Sequence, residues 1–144
     1  MTYTWYEAKA PSEKCIKDEE SLSQLKQDMW ALEQCSCKKG GYYIDIGSAD
    51  GQNISNTAVM DNKFGWKGLC VDINPRNMEN RTCALEKSVL YDKTGKQVTF
   101  KQSDYHDDLS GILDHLKAPW HSEVTKKGPN QLKMYSTTTM FLGM

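Results

Sequence analysis

At 144 residues the chain has room for one domain with a real hydrophobic core, and for little more. Eighteen basic against nineteen acidic side chains leave a net charge of -1, which excludes the strong field that binding to nucleic acid or an anionic membrane would use. Residues 1–14 are polar with no apolar run, so neither a signal peptide nor a membrane span is read there, and a cytoplasmic setting is expected.

Residues 1–18 lack periodicity, carry Pro11 and read as an N-terminal arm, which leaves 19–144 for the folded domain. Over 18–34, Leu22, Leu25, Met29 and Leu32 recur at three- and four-residue steps, and the spacing predicts a helix with an acidic start. Lys38, Lys39, Gly40 and Gly41 end it before a strand at 42–46. After a glycine turn, residues 54–63 form a second expected helix, capped by Asn53 or Ser55 and closed by Gly65. A second strand follows at 68–73 and a third at 82–85, with a short helical turn near Met78 between them. Strand, helix and strand in this order make a βαβ unit. Beyond it, the alternating runs 89–91 and 98–100 flank Asp92-Lys93-Thr94-Gly95 and predict a β-hairpin. Residues 104–108 read as a polar loop, 109–116 as one or two helical turns, and 122–135 as a basic loop.

The five cysteines, Cys15, Cys35, Cys37, Cys70 and Cys83, form an odd set without paired spacing, so reduced thiols are expected. Cys35 and Cys37 lack a second ligand pair, and no metal site is assigned. Cys70 and Cys83 lie in apolar runs as small core residues. Trp30 and Trp66 are expected to bury area beside the sheet.

Chemistry concentrates where the first strand breaks into Gly47-Ser48-Ala49-Asp50-Gly51. Gly47 and Gly51 allow a tight turn and close approach of a ligand to peptide N–H groups. Asp45 precedes the turn, and Asp72 ends the second strand 25 residues after Gly47. In an open α/β sheet ligands bind beyond the carboxyl ends of the strands, so these groups should converge. S-adenosylmethionine suits them: its carboxylate the turn, its ammonium Asp45, and its ribose hydroxyls Asp72. A carboxylate at Asp45 would repel a pyrophosphate, and D-x-G-x-x-x-G departs from the dinucleotide fingerprint, so NAD is the weaker option.

The segments Gln27-Asp28-Met29-Trp30-Ala31-Leu32, Gly41 through Gly51, Ile54-Ser55-Asn56-Thr57, Gly65-Trp66-Lys67-Gly68-Leu69 and Asp72-Ile73-Asn74-Pro75 together resemble the FkbM-type S-adenosylmethionine-dependent methyltransferases, over roughly residues 21–116. The resemblance implies a Rossmann-like, doubly wound α/β sheet and methyl transfer to oxygen, on a small-molecule acceptor such as a sugar or natural-product hydroxyl. It also implies Asp45, Gly47, Ser48, Asp50, Gly51 and Asp72 as cofactor contacts, with Asp72 standing where the family usually has glutamate. Members of the family continue past a Thr-rich segment, similar to 136–142, into a strand with an acidic Asp-x-Glu-Gly type motif. Since this sequence stops at Met144, an incomplete sheet is expected, with its first strand open to pairing with another copy. A non-catalytic binding or interaction domain of the same ancestry is the alternative. His106, beside Asp107 and Asp108, is a candidate general base, ahead of His115 and His121. Asn56 and Thr57 are read as helix-capping residues, and Lys126 and Lys127 as a solvated turn.

Overall fold

The computed structural model describes residues 14–102 and 110–115, together with the backbone of Ser103 and of the strand 132–140. The arm before Lys14, His106, Asp107, Asp108, His121, Lys126 and Lys127 lie outside the described residues. Two compact units divide the chain, Met1–Glu86 and Lys87–Met144.

The first unit is a three-stranded parallel sheet, β1 (Tyr42–Ile46), β2 (Lys67–Val71) and β3 (Ala84–Glu86), in that order. Parallel strands need a crossover, and the helix α2 (Ala58–Phe64) supplies it between β1 and β2. Ile44 faces Leu69 and Ile46 faces Val71 across the first pair. The helix α1 (Gln27–Gln34) precedes β1. Met29 and Leu32 of α1, Val59, Met60 and Phe64 of α2, and Tyr43 and Cys70 of the sheet form one core, closed by Ile16 and Trp66. This mixed α/β arrangement is compatible with part of a Rossmann-like fold.

Helix α1 is half the expected length because a buried carboxylate organises the chain ahead of it. Asp28 accepts hydrogen bonds from the hydroxyls of Ser21 and Ser23, both at 2.6 Å, and from the backbone N–H of Leu22 at 2.8 Å. Residues 21–26 therefore wrap around Asp28 instead of continuing a helix, and only a single 3-10 turn, Asp18–Glu20, remains upstream. The expected stripe is split, with Met29 and Leu32 buried but Leu25 77% exposed. Helix α2 starts four residues later than expected, since Ile54 adopts a left-handed φ of 50°. The N-cap position is Thr57, and Ser55 two residues upstream satisfies the helix start, its hydroxyl accepting the N–H of Ala58 at 3.1 Å. Gly65 ends the helix at φ 66°, as expected.

The cysteines correct the sequence reading. Cys15 is bridged to Cys37 and Cys70 to Cys83, with Cα separations of 5.2 and 5.8 Å, leaving Cys35 free and exposed. Pairing is decided by tertiary proximity, which irregular spacing along the chain conceals. Of the two tryptophans expected beside the sheet, Trp66 is buried and donates to the Lys38 carbonyl at 2.8 Å, whereas Trp30 is 64% exposed.

In the second unit β4 (Val89–Leu90), β5 (Gln97–Ser103), β6 (Gly111–Ile112) and β7 (Leu132–Met140) form a sheet in the order β4-β7-β5-β6. The expected hairpin does not form, because β7 lies between its two runs. It pairs parallel with β4, Val89 opposite Thr139, and antiparallel with β5 over seven residue pairs from Gln97–Thr138 to Ser103–Leu132. A nine-residue strand with β-branched Thr137, Thr138 and Thr139 offers β5 more ladder than the two-residue β4. Its first residues, 132–135, belong to the basic stretch expected to be loop. Residues expected to make helical turns give β6, which pairs Ile112 with Phe100, before a 3-10 turn Leu113–His115. His115 meets the Tyr91 hydroxyl at 3.0 Å within this unit. No helix among the described residues is long and apolar enough to cross a membrane.

Candidate functional site

The glycine turn stays fastened to the end of β2 after β1 stops. Gly47 N–H donates to the Val71 carbonyl at 2.8 Å, and Ser48 N–H reaches the same oxygen at 3.4 Å. Three left-handed residues then reverse the chain, Gly47 at φ 76°, Ala49 at 47° and Gly51 at 68°. Glycine has different reasons at the two ends. A side chain at Gly47 would meet nothing within 4 Å, so the φ alone demands glycine and open space lies beside it; at Gly51 a Cβ would fall 2.4 Å from the Met78 sulfur.

Asp72 closes this turn from the second strand. One carboxylate oxygen accepts the N–H of Ala49 at 2.9 Å and the other that of Asn74 at 2.8 Å. Arg76 N–H returns a bond to the Ala49 carbonyl at 3.0 Å. The turn and the end of β2 are thus one hydrogen-bonded rim, the convergence expected of Asp72 with Gly47, Ser48 and Gly51. Ser48 is buried there, and its hydroxyl has no hydrogen-bond partner among the described residues. A buried hydroxyl without a partner costs free energy that a ligand's polar atom would recover.

Asp50 is turned inward to its own loop. It accepts the backbone N–H groups of Gln52 at 3.0 Å and Asn53 at 2.8 Å, and the Asn53 side-chain amide at 2.5 Å. Burial pushes its carboxyl up, but these donors and nearby Arg76 outweigh it and hold the group below the usual carboxylate range. Its oxygens shape the turn.

Asp45 is already paired. It accepts the Thr57 hydroxyl at 2.5 Å, and the Arg81 guanidinium lies 3.9 Å away. The buried Arg81 has further partners, donating to Asp61 at 3.0 Å, to the Tyr43 hydroxyl at 3.0 Å, to Thr57 at 2.6 Å and to the Gly51 carbonyl at 2.6 Å. That last bond joins Asp45 to the turn through one cation. Thr57 stands at the N-cap position of α2, as expected, but its hydroxyl makes no capping bond and bridges Asp45 and Arg81, while Asn56 is exposed.

Burial pushes the Asp61 carboxyl up, yet the hydroxyl and N–H of Thr82, the Tyr43 hydroxyl and Arg81 prevail and hold it below the ordinary value. The Tyr43 phenol is pushed up to about 12, chiefly by burial, with Arg81 opposing. Arg81, Asp61 and Tyr43 were not expected in the site. One signal was present: Asp61 sits between Met60 and Phe64 on the apolar face of α2, where a carboxylate needs buried donors or a cation to offset its lost hydration. Nothing in the sequence identifies Arg81 as that cation.

Compared with protein-family models, curated proteins and solved structures, the chain matches none.

Proposed function

We propose that the first unit binds S-adenosylmethionine and that the protein is a methyltransferase acting on an oxygen of a small-molecule acceptor, such as a sugar or natural-product hydroxyl. The observation that carries this reading is the hydrogen bond from Ala49 N–H to Asp72, which draws the glycine turn and the end of β2 into one rim. Each Asp72 oxygen uses one lone pair on backbone and keeps another for a ribose hydroxyl. The open space at Gly47 and the unpartnered Ser48 hydroxyl fit the amino-acid end of the cofactor. When bound, the cofactor would supply an electrophilic methyl group, and the chain's task would be to align an acceptor oxygen with it. Arg81, at 3.9 Å, offsets the negative charge of Asp45, so attraction of the ammonium is weaker than an isolated carboxylate would give.

Calorimetric titration with S-adenosylhomocysteine and with NAD tests the reading. Heat with the former is expected; binding of NAD alone would replace the methyltransferase with a nicotinamide-dependent oxidoreductase. Asp72→Ala should weaken S-adenosylhomocysteine by about tenfold or more, with melting checked in parallel, and unchanged affinity removes Asp72 from the ribose role.

A non-catalytic domain of the same ancestry is favoured by the edge of β1, which pairs only with β2 among the described residues. There a partner, or a second copy, would add a strand. Sedimentation across a concentration range distinguishes a closed monomer from such an assembly. As to setting, the two disulfides favour an oxidising compartment over the cytoplasm.

A further inference from the structure

We propose that Asn80 carries an N-linked glycan acquired in the secretory pathway, an inference independent of what the first unit binds. Four of the five cysteines are paired, Cys15 with Cys37 and Cys70 with Cys83. Such bonds form and persist in oxidising compartments and are rare where glutathione keeps thiols reduced. In that setting an Asn-x-Ser/Thr triplet becomes a glycosylation acceptor. The sequence contains two, Asn53-Ile54-Ser55 and Asn80-Arg81-Thr82.

The structure separates them. Asn53 is spent inside the glycine turn, its amide donating to Asp50 at 2.5 Å, so a glycan there would crowd the rim. Asn80 is exposed at the end of a 3-10 turn, Met78–Asn80, in the β2–β3 connection that the Cys70–Cys83 bridge closes. A glycan on it points away from the core without displacing a bond within the glycine turn. Its triplet has one further property. The Thr82 hydroxyl donates to Asp61 at 2.6 Å and Arg81 is buried, so although Thr82 itself is exposed, the folded protein holds the triplet's hydroxyl in a bond of its own. Transfer therefore precedes closure of this unit. The Asn80 amide nitrogen attacks the anomeric carbon of a lipid-pyrophosphate-linked oligosaccharide; the N–C bond forms, the C–O bond to phosphate breaks, the amide loses one proton, and the lipid pyrophosphate leaves.

The protein purified from its own cells is treated with peptide N-glycosidase, which converts a glycosylated asparagine to aspartate, and is then mapped by mass spectrometry. Faster gel migration and a peptide with aspartate at position 80 are expected. In the same preparation only Cys35 should be alkylated before reduction. Asn80→Gln should abolish the gel shift, whereas Thr82→Ser, which preserves the triplet and a hydroxyl for Asp61, and Asn53→Gln should retain it. Recovery of the Asn80 peptide unmodified overturns the proposal, as does a shift that survives Asn80→Gln and is lost in Asn53→Gln. Alkylation of all five cysteines before reduction would remove its premise as well.

Discussion

Tyr43 and Ile44 are neighbours in β1, yet the first is 6% exposed and the second 52%. The alternation of a strand sends them to opposite faces of the sheet. On the Tyr43 face lie Cys70, the helices α1 and α2, and the cluster of Asp45, Asp61 and Arg81. On the other face Tyr42 and Ile46 are exposed with Ile44. Along β1 the sealed face carries Tyr43 and Asp45 and the exposed one Tyr42, Ile44 and Ile46, whereas Val71, opposite Ile46 on β2, is 2% exposed, so the open face is confined to the β1 edge. The difference teaches that burial in this unit comes from what packs on the strand, and that charge is retained inside only where a complete set of partners surrounds it.

The largest way to break that contrast is at Arg81. Arg81→Met keeps an apolar stem but leaves Asp61 and Asp45 without the buried cation that both approach. Removing one partner of a buried ion pair costs about 3–5 kcal/mol, and the urea midpoint should fall accordingly. Adding Asp61→Asn should return part of that loss, since the second charge is then gone. A midpoint unchanged by Arg81→Met would mean that the sealed face does not depend on its internal charge.

A smaller effect follows from pH and again concerns the sealed side. Asp28 is pushed up by burial but held below its ordinary value by Ser21, Ser23 and the N–H groups of Leu22 and Met29, and Asp61 is lowered likewise. A carboxyl whose folded pKa is depressed contributes stability that is fully present above its unfolded value, about 3.9, and is lost as pH falls through the folded value. Tyr43 works in the opposite direction. Its folded pKa is raised to about 12 from 10.0, so its share is present below about 10 and is lost as pH rises through 12. Urea midpoints should therefore fall at both extremes. Asp28→Asn or Asp61→Asn should flatten the acid limb and Tyr43→Phe the alkaline one; limbs that persist unchanged would place the responsible groups elsewhere.

What was legible in the chain was whatever local chemistry determines. β1 was readable as five apolar-rich residues before a glycine, and the end of α2 at Gly65 as a left-handed stop. The meeting of the glycine turn with Asp72 followed from strand order, because parallel strands joined by one helix bring their carboxyl ends together. Pairings made across long stretches of sequence were not legible. The cage around Asp28 looks like helix in a periodicity that counts leucines, since Leu22 and Leu25 fit the stripe while serines at 21 and 23 find the carboxylate. β7 reaches its place between β4 and β5 from more than thirty positions beyond β5's first residue, so the nearby turn residues 92–95 mislead. Arg81 is the same kind of omission: its five acceptors come from Tyr43, Gly51, Ser55, Thr57 and Asp61, scattered over nineteen positions.

The smallest expected effect sharpens the comparison most, because it tests the open face directly. Ile44→Lys places a charge where the side chain is half exposed, and exposed substitutions of this kind usually change stability by about 0.5 kcal/mol or less. Tyr43→Ala one residue earlier should cost about 3–5 kcal/mol, since it removes a buried ring and leaves Asp61 and Arg81 each short of a hydrogen bond. Urea unfolding of both variants at several protein concentrations reads the difference. Should Ile44→Lys cost as much as Tyr43→Ala only at high concentration, mass action would identify a second copy as the cover of this face. A large loss at every concentration would instead mean that the face is sealed within one chain, and the asymmetry between the two sides of β1 would be lost.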